Sequence, residues 1–164
     1  MFKQILLTGA LLALVPSALA QNASQIQSVQ SGHSCSGCNL FQADLSYRDI
    51  PGVDLSGSRL RQADLSVSTM NNSDFESANL SVANLFAGRF TSSNFRSADL
   101  SEAYLVGGYF GGADFTGANL THTNLSGADM ATAKGLTQSQ LDRACGDEYT
   151  VLPKPLRIPA CRPH

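Results

Sequence analysis

The residues of this 164-residue chain best suited to chemistry are its four cysteines and three histidines. The densest group is His33-Ser34-Cys35-Ser36-Gly37-Cys38-Asn39. Covalent haem attachment needs C-x-x-C-H, and Asn39 stands where the histidine would be. A thioredoxin-like site needs C-x-x-C at a helix start beside a βαβ unit, whereas this motif opens a run of short repeats. A structural zinc site needs four ligands. His33, Cys35 and Cys38 supply three, and Cys145 and Cys161 lie beyond the far end of the repeats. His122 and His164 are remote from His33, and no P-loop, dinucleotide fingerprint or metalloprotease motif is present. The expectation is a protein with no catalytic residue, no cofactor and no metal site: not an enzyme.

The elements that would hold such residues are unusual. From Cys35 to Ala133 an apolar residue recurs every fifth position, and from Leu40 to Met130 there are nineteen such centres. A helix repeats its face every 3.6 residues and a strand every 2, so a period of five fits neither. It is the mark of a solenoid. A second period, of twenty, sorts the centres by type. Leu40, Leu60, Leu80, Leu100 and Leu120 form one column, and Leu45, Leu65, Leu85, Leu105 and Leu125 the next. Ile50, Met70, Phe90, Phe110 and Met130 form a third, and Leu55, Phe75, Phe95 and Phe115 a fourth.

Four units per coil make a four-sided tube whose axis is filled by the centres. The core is expected from Phe75, Leu80, Leu85, Phe90, Phe95, Leu100, Leu105, Phe110 and Phe115. Volume supports this, since Phe90 and Phe110 are preceded two positions earlier by Gly88 and Gly108, while Met70 has Ser68 and Met130 has Ala128. Large centres beside the smallest partners suit a close-packed interior. Cys35 fits the fourth column and Cys38 an inward small position, so both are expected in the first coil, as a candidate disulfide joined to each other after export, with their oxidation state left open. Arg48 at an inward position, with Pro51 nearby, predicts an irregular first coil.

The repeat reads A-[DN]-[LF]-x-x, as in Ala63-Asp64-Leu65 and Ala118-Asn119-Leu120, and closely resembles the pentapeptide repeat family. The resemblance implies an all-β solenoid, a right-handed quadrilateral β-helix. At the usual coil spacing of about 4.8 Å, about five coils make a rod of roughly 25 Å. The segment Ala144-Cys145-Gly146-Asp147 followed by Leu152-Pro153 also resembles the C-terminal trailer of bacterial members.

The ends read differently. Residues 1–20 carry Lys3, the apolar run Ile5–Val15 and Ala18-Leu19-Ala20, the pattern of a cleaved secretory signal. The apolar run is too short for a comfortable membrane span, and no span is expected in the mature chain. Residues 21–32 are expected as a flexible leader and 33–134 as the β-helix. Residues 135–164 are expected as a capping helix over roughly 138–145 followed by an extended tail. Thr137 and Gln140 form a capping-box pattern, and Gly146 suits the position after the helix. Cys145 and Cys161 are expected to join, pinning the tail.

A net charge of −2 and a pI near 5.8 give no basic surface for nucleic acid. Two faces stand out. One carries Tyr47, Val67, Phe86, Tyr104 and Val106, an exposed apolar cluster that suits a contact surface. Another carries Asp54, Asp74, Glu76 and Asp114, with Arg96 opposing them, a solvated acidic face with weak cation binding as the alternative. The expected function is a non-catalytic exported scaffold, periplasmic or secreted, presenting a rigid face to a protein partner or a cell-envelope component. Two alternatives stand beside it. The resemblance implies a DNA mimic acting on a type II topoisomerase. Those mimics are cytoplasmic, and ten acidic against five basic residues from Cys35 to Ala133 make only modest acidity. The other is a thiol redox protein using Cys35 and Cys38.

Overall fold

The computed structural model describes residues 21–162, so the expected signal sequence lies outside the described residues. Helix α1 (Ala23–Gln30) precedes a square tube, and helix α2 (Gln138–Leu141) follows it, leading into an extended tail. The period of five becomes a fixed local shape. In each unit the residue before the centre bridges in parallel to its counterparts in the neighbouring coils, the centre points inward, and two residues turn the corner. Bridges join residues twenty apart on every face, as in Asn39↔Arg59, Asp64↔Asn84, Thr69↔Arg89 and Asp74↔Asn94. No continuous strand forms among the described residues, because one residue per side lies between successive turns.

Corners close by a hydrogen bond from the small inward residue back to the preceding centre, as from Ala63 N to Leu60 O at 2.9 Å. The second corner residue takes positive φ, the value a type II turn needs at its third position. Even Val67 (φ 55°) and Val82 (φ 59°) adopt it, a conformation rare for a β-branched residue.

The axis is filled as the two periods require. All nine expected core residues have no exposed surface. Phe75, Phe95 and Phe115 stack nearly parallel at centroid distances of 4.9 and 5.1 Å. Phe90 and Phe110 stack at 5.4 Å. The two columns meet edge to face, as Phe90 and Phe95 do at 5.8 Å, the geometry aromatic quadrupoles favour. Where serine or threonine replaces the inward alanine, as at Ser58, Ser68, Ser93 and Thr123, its hydroxyl finds a carbonyl. Ser93 donates to Met70 O and Thr123 to Leu100 O, each at 2.8 Å.

Outside, Asp or Asn at the bridge position folds back on its own corner. Asp64 Oδ1 accepts from Ser66 N at 2.9 Å, the Asx-turn that suits these residues to tight corners. Asparagines one coil on add a rung, with Asn84 donating to Asp64 and Asn119 to Asp99.

Three expectations are corrected. The stretch 21–32 is a helix packed on the first coil. Asn22 caps it by accepting from Gln25 N, and Ile26 and Val29, three apart, face the core. Its glutamines then take the place of a preceding coil: Gln21 donates to Gln42 O, Gln30 to Asp44 O, and Gln25 accepts from Asn39 N. The first coil is regular at Arg48, whose side chain is exposed. Its carbonyl keeps the ladder by accepting from Thr69 N at 2.7 Å. Helix α2 ends at Leu141, because Cys145 is drawn into the ladder, bridging Asn124. Gly146 consequently follows no helix end and pairs with Ala160 of the tail.

At the C-terminal end Gln140, buried, does what the α1 glutamines do at the other. Its Nε2 donates to Phe115 O and Ala118 O at 3.0 and 2.9 Å, while its Oε1 accepts from Thr137 N at 2.8 Å. The capping box therefore closes the helix and the tube together.

Candidate functional site

The face bearing the apolar cluster is built from the bridge residues Asp44, Asp64, Asn84, Tyr104 and Asn124, flanked by two corners. Its residues are held by the ladder: Leu85 N donates to Tyr104 O, and Tyr104 N to Ala83 O, fixing the backbone under the ring. Tyr47, Phe86 and Tyr104 are 76, 49 and 52 % exposed, large values for aromatic side chains on an otherwise polar rod.

Phe86, Tyr104 and Val106 come together in one shallow groove of about 470 Å³, with Val82 and Asn84 completing it. Tyr47 and Val67 stand on the same face outside that groove. Val82 was not among the expected residues. Its signal was its corner position two residues after Leu80, which faces Phe86 across the bridge column.

The groove continues towards the C-terminal end into a cleft of about 490 Å³ that shares Val82 and Tyr104 with it. This second part is polar. Glu102, His122, Arg143 and Arg162 line it, beside the Cys145–Cys161 pair. Among the described residues, no hydrogen bond or ion pair engages either arginine side chain; the ion pair present is Arg96 with Asp114, at 3.2 Å. Cys145 and Cys161 are joined, with Cα atoms 4.7 Å apart, and Cys161 N donates to Gly146 O at 2.9 Å. The tail is thus tied so that Arg162 lines the same cleft as Arg143.

At the opposite end Cys35 and Cys38 are also joined, Cα atoms 5.6 Å apart, with Cys38 buried in the first coil. His33 stands near them on the surface, whereas His122 lines the cleft at the far end; His164 lies outside the described residues. Paired cysteines at both ends fit an oxidising compartment.

The acidic face is occupied by local bonding. Asp54, Asp74 and Asp114 accept from the backbone N–H of Ser56, Glu76 and Thr116, and Asn94 donates to both Asp74 and Glu76. The Thr116 hydroxyl beside Asp114 holds its carboxyl below the ordinary value of 3.8, and that of Ser46 does the same for Asp44. These carboxylates are corner fasteners. No group of histidine, cysteine and acidic residues among the described residues is arranged to hold a metal ion.

The family model for pentapeptide repeats matches eight copies, over residues 49–85 and 93–130. Proteins built from these repeats fold as right-handed quadrilateral β-helices and are generally binding or structural proteins. Among solved structures, a pentapeptide repeat protein from the thylakoid lumen of Arabidopsis thaliana is 24% identical. That match covers 63% of this chain and 72% of that one, with a TM-score of 0.41. A pentapeptide repeat protein from Nostoc PCC 7120 is 24% identical over 84% of this chain and 88% of its own, with a TM-score of 0.35. The plasmid-mediated fluoroquinolone resistance protein QnrB1 is 24% identical over 68% and 62%, also with a TM-score of 0.35. No curated protein matches the chain.

Proposed function

The chain belongs to the pentapeptide repeat family, and from that premise we propose that it is an exported, non-catalytic scaffold that binds a protein or cell-envelope partner through the Phe86–Tyr104 face. The observation that carries this is the apolar groove of Phe86, Tyr104, Val106 and Val82. Aromatic area on an already rigid ladder supplies affinity with little ordering cost. The export half of the proposal is supported by the pattern of residues 1–20 and by the two cysteine pairs.

A DNA-mimic role is less favoured, since Asn94, Arg96 and Lys134 interrupt the acidic face. The test pairs two variants against a partner captured from periplasm or culture supernatant. Phe86→Ser with Tyr104→Ser should weaken capture at least about tenfold with thermal stability nearly unchanged. Asp54→Asn with Asp74→Asn should leave capture intact. The reverse pattern would sink the proposal in favour of the acidic face. Intact mass of the exported protein should begin at Gln21; full-length chain confined to the cytoplasm would end the export claim.

A further inference from the structure

Taking the Phe86–Tyr104 face as the binding surface, we infer that its ligand is an extended peptide segment in which an aromatic or large aliphatic side chain is followed a few residues later by a carboxylate. The apolar side chain lies in the groove of Phe86, Val106 and Val82. The carboxylate, from Asp, Glu or a chain terminus, is held by Arg143 and Arg162.

Three observations combine here. The apolar groove and the polar cleft share Val82 and Tyr104, so one ligand passes from one to the other over the Tyr104 ring. At the cleft end two arginines line the same cleft with no partner among the described residues, the cleft's Glu102 standing two levels from Arg143. Arginine side chains so placed offer forked donors that match a carboxylate. Finally, the second arginine is brought there by construction: the Cys145–Cys161 bond, the Gly146↔Ala160 bridge and the bond from Gly146 N to Pro159 O, at 2.9 Å, hold the tail beside the ladder.

The ladder sets the spacing. His122 N donates to Arg143 O, placing Arg143 one level beyond His122 and two beyond Glu102. The centre of the Phe86–Val106 pair lies about half a level before Glu102. At about 4.8 Å per level the separation along the rod is roughly 10–12 Å, and the width of the face adds to it because Phe86 and Arg143 stand at opposite corners, so the span needs at least about three residues of extended chain at about 3.3 Å each. The site therefore selects by the distance between side chain and carboxylate, because the rigid rod cannot change it.

The experiment selects displayed ten-residue random peptides with free C termini on the immobilised full chain. Winners are then measured by fluorescence anisotropy. Selected peptides should carry an aromatic or leucine residue followed by a carboxylate at least about three residues on, and replacing that carboxylate by its amide should weaken binding about tenfold or more. Arg143→Gln with Arg162→Gln should erase the difference between acid and amide while leaving the melting temperature unchanged. Phe86→Ser with Tyr104→Ser should weaken both forms.

Selected peptides that need Phe86 and Tyr104 but ignore the arginine variant would overturn the carboxylate inference and leave the face standing. Peptides indifferent to Phe86 and Tyr104 would overturn the inference that this groove takes the peptide. Failure to select any peptide, or tighter binding of a single-stranded oligonucleotide than of any selected peptide, would overturn the peptide assignment. The face itself is judged separately by the capture experiment.

Discussion

A Cβ placed on Gly88 would lie 2.5 Å from Cε2 of Phe90, two residues along the same chain. The glycine is the space into which the ring folds. Gly88→Ala therefore overpacks the third column and should cost about 1–3 kcal/mol in urea denaturation. Adding Phe90→Leu to that variant should recover part of the loss, since the shorter side chain vacates the position of the new methyl group. Two independent, additive losses would contradict the pairing.

Phe95 lies between Phe75 and Phe115, stacked on both. Truncation to alanine opens a cavity in the middle of the axis that rigid coils on either side cannot fill, at a cost of about 3–5 kcal/mol. Ser97, two residues on and exposed, should tolerate alanine with a change of about 0.5 kcal/mol or less. Small, equal effects at both positions would be incompatible with a filled tube.

Gln140→Glu separates the two duties of Gln140. The carboxylate can still accept from Thr137 N, but an oxygen replaces the amide that donates to Phe115 O and Ala118 O. A buried negative charge facing two carbonyls should cost about 3 kcal/mol or more at neutral pH. Its pKa is raised by burial and by those acceptors. Acidification through that raised value protonates the carboxyl, restores one donor, and should narrow the gap to wild type. A gap that widens on acidification would show that the side chain is not in contact with the carbonyls.

Acid should weaken the wild-type rod late and gradually. The Asp44 and Asp114 carboxyls are held below 3.8 chiefly by the hydroxyls of Ser46 and Thr116. A carboxyl lowered in the folded state contributes stability that is complete above its unfolded pKa and is lost as pH falls through the folded value. Thermal midpoints should thus be level above about pH 5 and decline below about pH 4. Ser46→Ala with Thr116→Ala should flatten the decline; an unchanged acid profile would assign it to other groups.

The tube itself was legible because every level of the signal agreed. The period of five, the sorted columns and the pairing of Gly88 with Phe90 all describe one interior. Helix α1 was not legible, since its residues are mostly Gln and Ser. Its place depends on amide bonds to Gln42, Asp44 and Asn39 that no local pattern announces. The aromatic half of the groove could be read from columns twenty apart. The arginine half could not, because Arg143 and Arg162 lie past Gly135, where the register ends, and a disulfide and tail pairing position them.

The ladder spacing of twenty acts on length variation as a codon does on a reading frame. Removing twenty residues from the middle of the rod would bring like columns back together and keep every side on its own face. Removing five would keep each corner and each inward centre, yet turn everything downstream by a quarter revolution. Phe86 would then look out from one wall and Arg143 from the next. Relatives that gain or lose single repeats can therefore preserve the architecture while scattering any composite surface. Only descendants changing by whole coils inherit a binding face intact.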